Sequence, residues 1–215
     1  MKTPDFLKPN ERPLIAILRG VTEDSVVSVA QTLIDAGISI IEVPLNSPNA
    51  LVSISRLVGC FGDSYLVGAG TVTTEVELEA VVATGAKLIV TPNFNPKVVK
   101  KAVAADCICL PGVITPTEAF AALAEGAQGL KLFPVTQMGA VNFKALMSVL
   151  PAGTHCFPVG GISEEGSTMA PYLQAGAVGF GIGSSLYEPD IDISELASRA
   201  RSLVETFDHL TRLLP

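Results

Sequence analysis

A single lysine lies inside an apolar segment of this chain, and its chemistry is the easiest to define. Lys131 stands at the centre of residues 129–133, Gly-Leu-Lys-Leu-Phe, whereas the other seven lysines lie near the N-terminus, on predicted helices or at a strand start. Burial disfavours an ammonium and lowers its pKa, and a neutral amine can attack a ketone to form an imine. Two alternatives stay open: a structural carboxylate that neutralises Lys131, or a side chain that points outward between helices.

Glu42 is a carboxylic acid in a similarly apolar setting, within residues 40–44, Ile-Ile-Glu-Val-Pro. A buried carboxylate has a raised pKa, which suits proton transfer near neutral pH. Arg19 ends the first apolar segment, and its planar, permanently charged fork suits a substrate carboxylate. The alternatives are a structural ion pair of Glu42 with Lys131 or with Arg19.

Two glycine clusters offer a site for an anion. They are residues 159–163, Val-Gly-Gly-Ile-Ser, and residues 181–185, Gly-Ile-Gly-Ser-Ser. Glycine-rich turns expose N–H groups that bind phosphate, although either cluster alone also fits a tight turn. The formal net charge of −7 argues against nucleic acid or an anionic membrane as partner, so any positive site must be local.

The elements that position these residues follow from periodic apolar segments. Eight strands are predicted, at residues 14–18, 40–43, 65–69, 87–91, 107–110, 129–133, 156–159 and 178–182. Their near-continuous hydrophobicity is typical of a parallel sheet covered by helices. Glycine supplies a left-handed helix stop before the second, fourth, sixth and eighth strands, at Gly37, Gly85, Gly126 and Gly176.

Helix start signals lie between these strands. Ser47, Asn95 and Thr115 each precede a proline and are predicted to cap a helix, and Thr115 with Glu118 forms a capping box. Ser163 is predicted to cap the helix after the seventh strand. The segment before Leu14 is predicted to be a short helix at the barrel bottom, and the last helix is predicted from Ser194 onward.

The prediction is therefore an α/β chain of one domain, residues 1–215: a (β/α)8 TIM barrel with a short N-terminal helix. An open doubly wound sheet would favour G-x-G-x-x-G after the first strand, and the sequence has none there. Active sites of such barrels lie at the C-terminal ends of the strands. Glu42 on the second strand and Lys131 on the sixth are both on even-numbered strands, so they can share a layer inside the barrel.

The composition argues against a zinc protein, a membrane protein and a secreted protein. Four cysteines and two histidines are too scattered for a zinc site, so we expect reduced thiols and no metal. The longest apolar run near the N-terminus, residues 14–18, is too short for a membrane span or a signal peptide, which predicts a cytoplasmic protein.

Several motifs, taken in order from about residue 14 to residue 187, resemble the 2-keto-3-deoxy-6-phosphogluconate and 6-phosphogalactonate aldolases. They are residues 15–20 (IAILRG), 42–48 (EVPLNSP), 68–72 (GAGTV), 91–93 (TPN), 131–134 (KLFP) and 159–162 (VGGI). The resemblance implies that Lys131 forms a Schiff base and that Glu42 is the general acid/base, acting through a bound water. It implies a homotrimer that needs no cofactor. It also implies that Thr71, Pro92 and Phe133 line a pyruvate pocket and that Gly160, Gly161, Gly183 and Ser184 hold the phosphate.

Two positions bear on the substrate. Relatives specific for the gluconate often have arginine in place of Asn46 and threonine in place of Val159, so this chain is more similar to the galactonate branch. With Asn46 neutral, Arg19 is the candidate for the substrate carboxylate. The expected reaction cleaves 2-keto-3-deoxy-6-phosphogalactonate, or the gluconate, to pyruvate and glyceraldehyde 3-phosphate. Rival hypotheses are another phosphate-binding barrel, such as an epimerase or synthase, and a non-catalytic sugar-phosphate sensor.

Overall fold

The computed structural model describes residues 4–8 and 11–214, in which short buried strands alternate with helices. The strands are β1 (Leu14–Ile17), β2 (Ile40–Pro44), β3 (Leu66–Gly70), β4 (Leu88–Val90), β5 (Ile108–Leu110), β6 (Gly112–Val113), β7 (Leu130–Leu132), β8 (Cys156–Pro158) and β9 (Phe180–Ile182). The helices are α1 (Val26–Asp35), α2 (Ala50–Phe61), α3 (Glu75–Ala83), α4 (Pro96–Ala104), α5 (Pro116–Ala124), α6 (Val135–Met147), α7 (Gly166–Gln174) and α8 (Ile193–Arg212).

The strands form a closed parallel barrel, as predicted. The hydrogen-bonded strand order is β5-β4-β3-β2-β1-β9 in a six-stranded part of the barrel and β6-β7-β8 in a three-stranded part. β5 and β6 are two halves of the fifth barrel strand on either side of Pro111, whose carbonyl accepts the Lys131 N–H. A parallel bridge between Val159 and Gly181 joins β8 to β9 and completes the ring. Each of the eight predicted strands overlaps an observed one.

Side chains along each strand point alternately toward the helices and into the barrel, so the buried apolar residues form two clusters. Leu130 and Leu132 belong to the large cluster between barrel and helices, so the side chain of Lys131 between them points to the barrel interior. Ile40 belongs to the smaller cluster inside the lower barrel, so Glu42, two residues further along β2, also points inward. The outward orientation of Lys131 that the sequence left open is therefore wrong.

The segment before β1 covers the bottom of the barrel, but residues 4–8 form a turn instead of the predicted short helix. The N–H of Leu7 donates to the carbonyl of Pro4 over 3.0 Å. Leu7 is buried in the lower barrel cluster, and Phe6 packs against the same cluster. Residues 1–3, 9 and 10, on which the rest of that prediction falls, lie outside the described residues.

The helix boundaries confirm most of the predicted signals. Thr115 and Glu118 form a capping box, and the Asn95 side chain accepts the N–H of Lys97. The four stop glycines have positive φ angles of 97°, 86°, 89° and 106°. The last helix begins at Ile193, one residue before the predicted start. Among the helices of the described chain, none is long and apolar enough to cross a membrane.

Two predicted caps are wrong. α2 begins at Ala50 after Asn49, so Ser47 does not cap it; the Ser47 hydroxyl instead accepts the N–H of Gly20. α7 begins at Gly166, and the Ser163 hydroxyl accepts the N–H of Glu165 in the preceding turn. In both places a polar side chain satisfies loop backbone at the C-terminal end of the barrel, where the strands leave free groups to pair.

Candidate active site

A cavity of about 500 Å³ lies at the C-terminal end of the barrel strands. Lys131 and all nine predicted substrate-binding residues line it: Arg19, Thr71, Pro92, Phe133, Val159, Gly160, Gly161, Gly183 and Ser184. Glu42 is not part of the lining, because its side chain lies buried in the barrel interior. The structure thus brings the predicted residues of six strand ends to one place.

Lys131 is held in a largely apolar environment, with only 7% of its surface exposed. Its Nζ lies 4.7 Å from the centroid of the Phe133 ring. No carboxylate oxygen of the described chain lies within 4.0 Å of that nitrogen. Burial is the largest influence on the Lys131 pKa and lowers it; the charge of Glu42 opposes this and the charge of Arg19 adds to it. Burial therefore favours the neutral, nucleophilic form of this amine relative to an exposed lysine.

Glu42 is 1% exposed, and burial raises its pKa to about 7 against the opposing positive charges of Lys131 and Arg19. Its Oε2 is enclosed and has no hydrogen-bond partner among the described residues. The side-chain nitrogens of Lys131 and Arg19 lie more than 4.0 Å from the carboxyl oxygens of Glu42. The structural ion pair that the sequence left open as an alternative therefore does not form at contact distance. Glu42 therefore has the properties of an acid that gains and loses a proton near neutral pH.

The end of β3 makes room for the Glu42 carboxyl group. A Cβ atom on Gly70 would overlap both carboxyl oxygens of Glu42, so only glycine fits. Thr71 follows with a φ of 59° and lines the cavity. A β-branched residue in the left-handed region costs on the order of 1–3 kcal/mol and is maintained only by its surroundings. Such strain at a cavity wall is typical of a functional position.

Arg19 reaches the cavity from the loop after β1, with its side chain exposed. Its Nη1 donates a hydrogen bond of 2.6 Å to Oδ1 of Asn46, which follows β2. The salt bridge to Glu42, which the sequence left open, is therefore not the contact that Arg19 makes. One side of the guanidinium is fixed, which leaves the remaining N–H groups to meet a substrate anion.

The two glycine clusters contribute unpaired backbone N–H groups to the same cavity. Gly160 and Gly161 both have positive φ, 100° and 72°, so the chain turns sharply at this point. Five N–H groups in the two loops find no acceptor within the described chain: those of Gly161, Ile162, Gly183, Ser184 and Ser185. Converging N–H groups form an anion site, which makes this part of the cavity locally positive despite the net charge of −7.

Other reactive groups lie elsewhere. All four thiols are free; Cys60 is exposed, and burial raises the pKa of Cys109 and of Cys156 to about 12, which keeps them protonated. Within residues 4–8 and 11–214, no group of three or more His, Cys, Asp or Glu side chains could hold a metal ion. The site therefore offers an amine, a carboxyl group and hydrogen-bond donors.

Sequence reasoning missed three contributors. The role of Gly70 depends on a neighbouring strand, and its sequence signal is limited to the two glycines of Gly-Ala-Gly, residues 68–70, which indicate a close approach of the backbone. Asn46 differs in sequence from the arginine of gluconate-specific relatives, but no sequence signal predicts its hydrogen bond with Arg19. Ser185 belongs to the second glycine cluster in the sequence, but its hydrogen bond to the Ile162 carbonyl joins two loops that are far apart in the chain.

A buried amine whose pKa is lowered by burial and an acid with a pKa of about 7, in the upper part of a (β/α)8 barrel, fit a class I aldolase, which works through a lysine imine. The chain belongs to the KDPG and KHG aldolase family, whose model matches residues 7–200. It is therefore a carbon–carbon lyase.

Relatives and solved structures agree with this membership. The chain is 42% identical over 195 residues to the 2-dehydro-3-deoxy-6-phosphogalactonate aldolase of Escherichia coli K12, covering 91% of this chain and 94% of that protein. It is 32% identical over 156 residues to the 2-dehydro-3-deoxy-phosphogluconate aldolase of Haemophilus influenzae, covering 72% and 73%. A solved structure described as "Native KDPGal structure" superposes with a TM-score of 0.91 at 41% identity, covering 94% of this chain and 97% of that one.

Proposed function

We propose that this aldolase cleaves 2-keto-3-deoxy-6-phosphogalactonate to pyruvate and glyceraldehyde 3-phosphate through an imine on Lys131. The observation that carries the proposal is the Lys131 amine, buried without an ion pair and facing a cavity that also has free N–H groups. Glu42 is the proposed proton carrier, because burial places its pKa at about 7. The entire chain, residues 1–215, acts in this proposal as one barrel domain.

The proposed reaction begins when the neutral Lys131 Nζ attacks the C2 ketone. Loss of water from the adduct gives a protonated imine, which is an electron sink. Removal of the C4 hydroxyl proton then breaks the C3–C4 bond, and the electron pair of that bond moves into an enamine. Glyceraldehyde 3-phosphate leaves, C3 takes up a proton, and hydrolysis of the imine releases pyruvate and restores the amine.

Glu42 supplies the base and the acid of this sequence. As a carboxylate it accepts the C4 hydroxyl proton, and as a carboxylic acid it returns a proton to C3. Its carboxyl group is enclosed and lies more than hydrogen-bonding distance from Lys131, so we propose that a bound water relays the proton. A pKa of about 7 makes both forms accessible at neutral pH.

The other residues of the cavity form two groups, one for the pyruvate half of the substrate with its carboxylate and one for its phosphate. We propose that Thr71, Pro92 and Phe133, which line the cavity with Lys131, enclose the pyruvate half. Arg19, fixed on one side by Asn46, pairs with the substrate carboxylate. Gly160, Gly161, Gly183 and Ser184 hold the phosphate, with the free N–H groups of Gly161, Gly183 and Ser184 as donors.

The preference for the galactonate epimer rests on Val159 and on the relatives. Val159 lines the cavity and is 6% exposed, so a methyl group stands where a hydroxyl would hydrogen-bond one epimer. Identity is also higher to the galactonate enzyme, 42% against 32%. Pyruvate release from the two epimeric phosphates, followed with lactate dehydrogenase, tests this; a higher kcat/KM for the gluconate would overturn the preference.

We further propose a cytoplasmic homotrimer that requires no metal or other cofactor. Sedimentation of the purified chain tests the trimer, and full activity after dialysis against a chelator tests the metal independence. The two rival functions are distinguished by borohydride with pyruvate. An epimerase or synthase would remain unmodified, and a sensor would be stabilised by the sugar phosphate without releasing pyruvate.

A further inference from the structure

The two glycine-rich loops of the proposed phosphate site are joined by one side-chain hydrogen bond. The Oγ of Ser185 donates to the backbone carbonyl of Ile162 over 2.6 Å. Ile162 follows Gly160 and Gly161 in the first loop, and Ser185 follows Ser184 in the second. In the described chain, no other hydrogen bond links residues 160–164 to residues 183–187.

The barrel itself holds these loops together only weakly. β8 ends at Pro158 and β9 at Ile182. At their loop ends the bridge between Val159 and Gly181 joins them, and further down the barrel the Val178 N–H donates to the Cys156 carbonyl. Among the described residues, the other hydrogen bonds of the loops do not join one loop to the other, and Thr206 on α8 donates to the Glu164 carbonyl of the first loop. Thr168 on α7 accepts the Ser163 N–H of the first loop, and the carbonyl of Gly183 accepts two N–H groups within the second loop. Beyond the strand ends, the Ser185 side chain therefore sets the spacing between the loops.

We propose that Ser185 is a positioning residue for phosphate recognition, which keeps the free N–H groups of the two loops at the separation that one phosphoryl group requires. This inference rests on the proposed function, since it needs a phosphorylated substrate. The hydroxyl hydrogen of Ser185 is committed to Ile162, so Ser185 acts through the loops and not by donating that hydrogen to the phosphate. Lys131 lies on β7, and its chemistry does not depend on this bond.

The test compares Ser185→Thr with Ser185→Val, which have the same shape but differ in the hydroxyl, and adds Ser185→Ala. Pyruvate is added enzymatically to glyceraldehyde 3-phosphate and to unphosphorylated glyceraldehyde, with inorganic phosphate as a competitive inhibitor. We expect Ser185→Val and Ser185→Ala to raise two constants, the KM for glyceraldehyde 3-phosphate and the Ki of inorganic phosphate. Each should rise by about five- to tenfold, the usual effect of one lost hydrogen bond. We expect Thr to stay within about twofold, and kcat/KM with glyceraldehyde to be unchanged in all three.

Two results would overturn the positioning role. One is equal behaviour of the Thr and Val variants; the other is an equal loss with both aldehydes, which would indicate general destabilisation. Failure of the proposed function looks different, because the wild-type protein itself would then show no addition or no preference for the phosphorylated aldehyde. The Thr and Val side chains have the same size, so both variants could share a folding defect caused by the added methyl group. In that case the comparison of Ser185→Ala with the wild type tests the positioning role.

Discussion

At the residue scale, burial prepares two groups in complementary ways. The same low-polarity interior lowers the pKa of Lys131, which favours the neutral amine relative to an exposed lysine, and raises the pKa of Glu42 to about 7. Both residue types could be predicted to be functional because a charge inside an apolar strand is costly. The pairing of Arg19 with Asn46 could not be predicted, since it depends on two loop conformations.

Replacing Glu42 by glutamine should remove an ionisation from the pH–rate profile. In the wild type, log kcat/KM should rise with pH through about 7 as Glu42 ionises, so activity at pH 6 should be about a tenth of the plateau. Glu42→Gln should lower kcat by about 10²–10⁴-fold and abolish that inflection. Glu188→Gln, at an exposed carboxylate in the loop after β9, is the control and should keep the wild-type profile. Retention of full activity in Glu42→Gln would remove Glu42 from its proposed role.

At the element scale, the strands could be predicted almost completely and the loops could not. Apolar segments and stop glycines identified every barrel strand because both signals are local. The caps failed at Ser47 and Ser163, where the side chains bind loop backbone at the cavity end of the barrel. The break of the fifth strand at Pro111 follows from a missing N–H, a signal that was available in the sequence.

Gly70 on β3 should be intolerant of even one added carbon. In Gly70→Ala, the Cβ would overlap the Glu42 carboxyl and displace it, so activity should fall by at least about 10²-fold, as for loss of a general base. Trapping of pyruvate on Lys131 should persist, which separates this defect from unfolding. Gly59→Ala, at a helix position with open space around it, is the control and should remain fully active. Wild-type turnover by Gly70→Ala would show that the carboxyl position does not matter.

At the scale of the whole molecule, an acidic protein carries a locally positive site made of backbone donors and Arg19. The net charge of −7 could be read from the sequence. That the loops after β8 and β9 lie side by side could be seen only in the structure, because it depends on closure of the barrel between these two strands. The last helix completes the outer layer, and a paired Arg12 and Asp208 tie it to the segment before β1, with two contacts of 2.7 Å.

That ion pair should contribute to stability in a pH-dependent way. The hydrogen bond from Arg12 lowers the pKa of Asp208 below its usual value, so its contribution is present above about pH 4 and is lost as the pH falls through the lowered pKa. Asp208→Asn should reduce the free energy of unfolding by about 1 kcal/mol at pH 7, given a bidentate but partly exposed pair. Urea unfolding at pH 7 and pH 3 should show the difference shrinking at the lower pH.

Asp24→Asn is the matched control for this effect, because Asp24 pairs with Arg56 at a carboxylate that is 89% exposed. Its loss should change the free energy of unfolding by only a few tenths of a kcal/mol. An equal effect of the two substitutions, or an Asp208→Asn deficit that does not depend on pH, would contradict the assigned role of the Arg12 pair.

The most direct test of the account is reduction of the protein with borohydride in the presence of pyruvate, followed by intact mass and peptide mapping. The account predicts one reduced pyruvate unit per chain, located on Lys131, and no modification in Lys131→Met. Unmodified wild-type protein, or attachment at another lysine such as Lys144, would contradict it.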